Sequence, residues 1–235
     1  MPGGSKTLYT RFALAENRLS MKYSTIFLVA FFVIGITGQT PQVQEPAKAN
    51  PRPTPTPEAK AEPFDKADVK TMAAQCVSFD TEAGEIVIEM YPEHAPESVR
   101  NFLNMAATGL LDTTTFSRIV PGFVIQGGDI WTREGKVTYE IGTRARRTLP
   151  DEPNKILHER GVVSMARNEE PNTATTNFFI LVGTGSHLDG SFAAFGRVIK
   201  GMEVADAINK AKVTDEKPEK PVRIRKATVS ACTTP

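Results

Sequence analysis

The residues best suited to chemistry in this 235-residue chain lie between Thr114 and Asp129, where the sequence runs TTFSRIVPGFVIQGGD. One charged side chain, Arg118, stands among Phe116, Ile119, Val120, Phe123, Val124 and Ile125. One amide, Gln126, falls between Ile125 and Gly127-Gly128. A lone arginine in such company has two readings. Either its stem packs on apolar surface while its head reaches water, or it is a fixed cation presented beside an apolar pocket. A guanidinium is always charged and offers a rigid fork of donors, so the second reading implies stabilisation of a bound group rather than nucleophilic attack. Other chemistries find no support. There is no Gly-rich phosphate loop ending in Lys-Ser/Thr and no G-x-S-x-G elbow. Gly183-Thr184-Gly185-Ser186 lacks the helix pattern that must follow a phosphate loop. His94, His158 and His187 do not have metal-ligand spacing, and neither Cys76 nor Cys232 has a nearby Cys or His. No metal or cofactor is expected.

The elements that must position these residues are mostly short strands. Pro121-Gly122 splits the central run into two β-rich halves, which predicts strand, tight turn, strand. Upstream, Val77-Ser78-Phe79 and residues 85–90 alternate as strands joined through Glu82-Ala83-Gly84. A helix opens at Ala95-Pro96-Glu97, with Val99, Phe102, Leu103 and Ala106 on one face and Gly109 as its stop. A second helix fits residues 202–210 and a closing strand fits 222–229. Residues 130–155 carry Trp131, Arg133, Lys136, Arg144, Arg146 and Arg147, partly offset by Asp151-Glu152. They read as a solvated loop or as a basic rim favouring acidic groups.

Hydrophobic residues make up 40% of the chain and charged residues 23%, a balance suited to a soluble globular core. A net charge of +1 gives no sign of a nucleic-acid or acidic-membrane partner. Residues 1–40 read as a signal peptide or membrane anchor. Lys22 precedes an apolar run over 26–36, short for a membrane span but suited to a secretory signal, with Thr37 and Gly38 after it. Met21 is an alternative start. No Cys follows the run to take a lipid. Residues 41–70 hold Pro41, Pro46, Pro51, Pro53, Pro55, Pro57 and Pro63 and read as a disordered, semi-stiff linker. Residues 71–235 are expected to form the folded domain.

The wording FSRIVPGFVIQGGD closely resembles the signature of cyclophilins, the barrel-type peptidyl-prolyl cis-trans isomerases. Two further blocks agree in the same order: GVVSMARNEEPNTATTNFFI over 161–180, and His187-Leu188-Asp189-Gly190 running to Phe195-Gly196-Arg197-Val198. The block HERGVVSMAR and the short-looped core resemble bacterial-type members, and the signal-like run over 26–36 adds export. The resemblance covers roughly 160 residues, an ordinary single-domain size. It implies a mainly β fold, a closed eight-stranded antiparallel barrel capped by two helices.

It also implies rotation about X-Pro bonds. The barrier to amide rotation is roughly 18–20 kcal/mol because resonance must be broken. A catalyst must hold the proline ring, grip the flanking chain and stabilise the twisted amide more than the planar one. In the twisted state the nitrogen regains a lone pair, which a fixed donor in a water-poor site can meet. By resemblance Arg118 is that donor. Phe123, Val124, Phe179, Leu188 and Phe192 match the pocket for the proline ring, with core packing as the plain alternative for each. Gln126 matches the amide that grips the substrate backbone, and Asn168, with Arg167, the residues clasping the position before proline. Asn177 and His187 fall at further binding positions but depart from the family, which usually has Gln and often Trp there. Ser117 and Phe192 stand where His is common. The first and last strands of such a barrel are neighbours, and an exported protein meets an oxidising compartment, so the resemblance implies a Cys76–Cys232 disulfide. The partners it implies are proline-containing unfolded or exported protein clients. No nucleic acid is expected, membrane contact only through a possible N-terminal anchor, a monomeric state, and a periplasmic or cell-envelope location. The rival reading is a peptide-binding or chaperone module that keeps the groove without turnover.

Overall fold

The computed structural model describes residues 60–232; the expected signal peptide or anchor and most of the Pro-rich linker lie outside them. The alternation near the start becomes a hairpin of β1 (Gln75–Thr81) and β2 (Gly84–Met90), paired from Cys76↔Glu89 to Thr81↔Gly84. Val77, Phe79, Ile86 and Ile88 turn inward together because alternate strand residues face alternate sides. There follow β3 (Arg118–Val120), β4 (Val124–Gly127), β5 (Val162–Met165), β6 (Phe178–Leu181) and β7 (Ala194–Lys200). A small hairpin of β8 (Val213–Thr214) and β9 (Lys217–Pro218) precedes β10 (Ile224–Ala231). The main sheet has eight strands in the order β10-β1-β2-β7-β5-β6-β4-β3, all antiparallel.

The expected closure is incomplete. β3 and β10 form no ladder, and the curled sheet is a half-barrel whose seam is bridged by the segments leading into those strands. Thr113 N–H donates to Ile224 O (2.8 Å), Ile224 N–H to Thr114 O (2.8 Å) and Phe116 N–H to Val222 O (3.0 Å), around a single Thr115–Arg223 bridge. The physical reason is that the outer edge of β3 is already taken. Ile119 N–H donates to Glu216 O at 2.8 Å, in the turn between β8 and β9. Cys76 and Cys232 are disulfide-bonded, with their Cα atoms 4.9 Å apart; β10 beside β1 brings them together.

The two expected helices are α2 (Pro96–Ala107) and α4 (Met202–Asn209), and two short ones join them, α1 (Val69–Ala73) and α3 (Tyr139–Ala145). The first turn of α2 has no cap from its own Ala95. Glu152 supplies one from afar, accepting from the N–H groups of Glu97 (2.9 Å) and Ser98 (2.8 Å), where a carboxylate also suits the positive end of the helix. α3 falls within the stretch read as a loop, with Thr138 as its cap and Arg146 stacked 5.2 Å over the Trp131 ring. The segment before Thr71, read as linker, is part of the fold from about Glu62. Arg100 Nη1 donates to Phe64 O (2.8 Å) and Ala67 O (2.7 Å), Asn104 binds Phe64 N–H and Asp65, and Arg144 pairs with Glu62 at 2.6 Å. These contacts join residues far apart in sequence, so the linker composition concealed them.

The sheet has two apolar faces. Ile119, Ile125, Val163, Phe178 and Ile180 join the main core, where Phe178 meets Phe79, Phe102 and Phe116. Val124, Val162, Phe179, Leu181 and Ala194 form a smaller cluster on the other face, and the functional groove lies over it.

Candidate active site

β3 and β4 are the hairpin predicted around Pro121-Gly122. Proline at the second position and glycine at the third, with φ +73°, suit a type II turn, closed by Phe123 N–H on Val120 O at 3.0 Å. Buried Asn209, the last residue of α4, holds the turn. Its Nδ2 donates to Val120 O (2.9 Å) and Val124 O (3.0 Å), and its Oδ1 accepts from Gly122 N–H (2.7 Å). At the far end of β4 the chain passes so close to the segment leading into β6 that a Cβ on Gly128 would run into Thr176 O.

Arg118 and Gln126 are direct cross-strand partners. Alternation sends Ile119 and Ile125 into the core and leaves this pair on the open face. There Arg118 Nη1 donates to Gln126 Oε1 at 3.2 Å, and Nε donates to Glu216 Oε2 at 2.7 Å. Arg118, Gln126, Phe123, Val124, Ala166, Arg167, Phe179, Leu188 and Phe192 together line a groove of about 230 Å³. Phe179 and Phe192 meet edge-on at 6.0 Å, and the Arg167 guanidinium lies 5.0 Å over the Phe192 ring. None of the lining side chains is a nucleophile or a carboxylate, so the groove can hold and polarise a ligand but has nothing with which to attack it.

Seven of the residues expected at the site, Arg118, Phe123, Val124, Gln126, Phe179, Leu188 and Phe192, meet in this groove. Three do not line it. Asn168 is exposed in the following loop, with its N–H on Thr173 Oγ1 at 3.1 Å. Asn177 meets the groove's neighbourhood only through its backbone, accepting from Ala166 N–H at 2.9 Å. His187 is exposed beside the groove, its ring 5.3 Å from that of Phe123. Arg167, expected with Asn168 to clasp the position before proline, is a wall of the groove, and Ala166 is a wall that the sequence signalled only through its place in the second block. Glu216 gave no signal, because its partner lies 98 residues away.

Beneath the groove, His158 is buried between two partners. Nδ1 faces Asp189 Oδ1 at 3.1 Å, and Nε2 faces Ser164 Oγ at 2.9 Å. Burial holds the imidazole below its ordinary pKa of 6.5, against the opposing pull of Asp189. The backbone N–H of His158, at 2.7 Å, is the main cause holding the Asp189 carboxyl below its ordinary 3.8. A neutral ring over an ionised Asp189 donates from Nδ1 and accepts the Ser164 hydroxyl at Nε2. Ser164 is fully buried, so this Ser-His-Asp row is a brace. It joins β5 to the 3-10 turn Ser186–Leu188 that carries Leu188 into the groove.

Residues 76–229 match the family described as cyclophilin type peptidyl-prolyl cis-trans isomerase/CLD. The chain belongs to the cyclophilins. It is 37% identical over 154 residues to peptidyl-prolyl cis-trans isomerase ppi1 of Schizosaccharomyces pombe, an alignment covering 64% of this chain and 96% of that protein. It is 34% identical over 167 residues to peptidyl-prolyl cis-trans isomerase A of Dickeya dadantii, covering 65% of this chain and 83% of the relative. A cyclophilin-type isomerase of Cryptosporidium parvum, solved in the presence of the dipeptide Ala-Pro, superposes with a TM-score of 0.58 at 27% identity, over 67% of this chain and 99% of that one. This cyclophilin is thus a peptidyl-prolyl cis-trans isomerase, and its half-barrel sheet is the family's fold.

Proposed function

We propose that Arg118 is the donor that stabilises the twisted X-Pro amide in this cyclophilin, acting on proline-containing chains during or after export. The observation that carries the first part is the Arg118–Gln126 pair at the edge of an otherwise apolar groove. The aromatic and aliphatic walls suit a proline ring. The Gln126 amide suits the flanking backbone. The guanidinium, fixed in place before the substrate arrives, can meet the nitrogen lone pair that appears only as the amide twists. Nothing else is required, because the reaction makes and breaks no σ-bond.

Export is supported by the signal-like run over residues 26–36 and by a disulfide of the kind that persists in oxidising compartments. Among the described residues no helix is long and apolar enough to cross a membrane. The clients on this reading are unfolded or newly exported proteins, met in the periplasm or at the cell envelope.

The test follows cis-to-trans relaxation of a short Ala-Pro-Phe peptide with the purified chain and with Arg118→Ala. The native protein should accelerate relaxation strongly, and loss of one preorganised donor should lower kcat/KM by about a hundredfold or more. Full activity in Arg118→Ala would refute the assigned donor. Export is checked separately by fractionating cells and sequencing the mature N-terminus.

A further inference from the structure

The turn between β8 and β9 carries two consecutive non-glycine residues in the left-handed region, Asp215 at φ +49° and Glu216 at φ +62°. Two-residue hairpin turns with both central residues at positive φ favour Asn-Gly or Asp-Gly, because a side chain in that conformation crowds its own backbone. Asp215 fits the preference of the first position. Glu216 occupies the position where glycine would be least strained, and strain retained in this way is concentrated at functional sites.

The contacts of Glu216 show what the strain secures. Its carbonyl accepts from Ile119 N–H at 2.8 Å, which docks the turn onto β3. Its carboxylate Oε2 accepts from Arg118 Nε at 2.7 Å, while Gln126 accepts from Nη1 at 3.2 Å. The guanidinium is held by two of its three nitrogens, and Nη2 has no hydrogen-bond partner among the described residues. Both members of the ion pair are roughly half exposed, at 45% and 49%. Such a pair adds little to stability, so its worth to the protein lies elsewhere.

We infer that Glu216 is a positioning residue for the isomerase: it fixes the Nε edge of Arg118 so that the remaining nitrogen stays available to the groove. This rests on the reading of Arg118 as the donor. The carboxylate partly offsets the charge of the guanidinium, so its contribution is orientation rather than field. A site that must meet a transient lone pair gains from a donor already held in direction.

The experiment compares Glu216→Gly, Glu216→Gln, Arg118→Ala and the Arg118→Ala/Glu216→Gly double variant. It uses exchange NMR at saturating Ala-Pro-Phe peptide for the rate on the enzyme, and thermal melts for stability. Glu216→Gly should slow turnover by about two- to fivefold with KM little changed. Its melting temperature should be unchanged or higher, because glycine relieves the left-handed backbone. Glu216→Gln should recover most of that loss, since its amide oxygen still accepts from Nε. In the Arg118→Ala background Glu216→Gly should have no further effect. A wild-type rate in Glu216→Gly, a glutamine variant as slow as the glycine one, or a rate loss matched by a fall in melting temperature would each overturn the inference. Full activity in Arg118→Ala would instead overturn the donor reading itself; an inactive Arg118→Ala beside a fully active Glu216→Gly rejects only the role of Glu216.

Discussion

Asn209→Ala is expected to cost more than its small change in volume suggests. Asn209 is 6% exposed and binds three backbone groups of one turn: Val120 O, Val124 O and Gly122 N–H. Alanine leaves all three without this partner. The bond to Val124 O is fully buried, and an orphaned buried acceptor costs about 1–3 kcal/mol. The other two bonds are part-buried and open to water once broken, so each contributes about 0.5–1 kcal/mol. The sum is about 2–5 kcal/mol, or a fall in melting temperature of roughly 4–20 °C for a domain of this size. Urea melts read it directly as a lower midpoint with an unchanged slope. Asn209→Asp sharpens the test. It keeps an acceptor for Gly122 N–H but sets a carboxylate oxygen against Val120 O and Val124 O, so it should be at least as damaging as alanine. Because the turn joins the strands bearing Arg118 and Gln126, kcat/KM should fall in both variants at temperatures where they remain folded. An alanine variant within about 0.5 kcal/mol of the native protein, or an aspartate variant as stable as asparagine, would refute the reasoning.

Two further outcomes follow from the same framework. The Cys76–Cys232 bond spans 156 residues, and closing such a loop contributes up to about 5 kcal/mol in the chain-entropy model; the Cys76→Ser/Cys232→Ser double variant should unfold at clearly lower urea, and an unchanged midpoint would contradict the account. His158 is held below its ordinary pKa of 6.5 by burial. As pH falls below that value the unfolded chain takes up a proton that the folded chain refuses, so stability should drop from about pH 7 to about pH 5. Asp189, depressed below 3.8, adds its own loss only at lower pH still. His158→Gln should flatten the upper part of this profile, and an unaltered slope would show that the buried ring is not its source.

What the sequence disclosed, and what it withheld, divides by range. The β3–β4 hairpin was legible because Pro-Gly and the flanking apolar residues specify it locally, and α2 was legible from Pro96, Glu97 and its apolar stripe. The groove walls on β4 and β6 were legible because the family wording fixes their register. The N-terminal segment was misjudged because its docking depends on Arg100 and Asn104, more than thirty residues away. α3 was missed because five basic residues over 133–147 mimic a solvated loop, whereas Glu62 and Trp131 each take one or more of those arginines. Asn168, Asn177 and His187 were placed by resemblance alone, which gives position along the chain and not the direction of a side chain.

The property that this site most depends on is register. A shift of one residue in β3 would turn Arg118 toward the core and Ile119 toward the groove, taking the guanidinium out of the groove and burying a charge at once. A three-residue strand cannot guard against that by its own ladder. Three separate elements do so instead. The Pro-Gly turn sets the pairing at one end, Asn209 from α4 holds both strands of that turn, and the carbonyl of Glu216 occupies the outer edge of β3 at Ile119. The last contact also takes a donor on the outer edge of β3, where the sheet stays open.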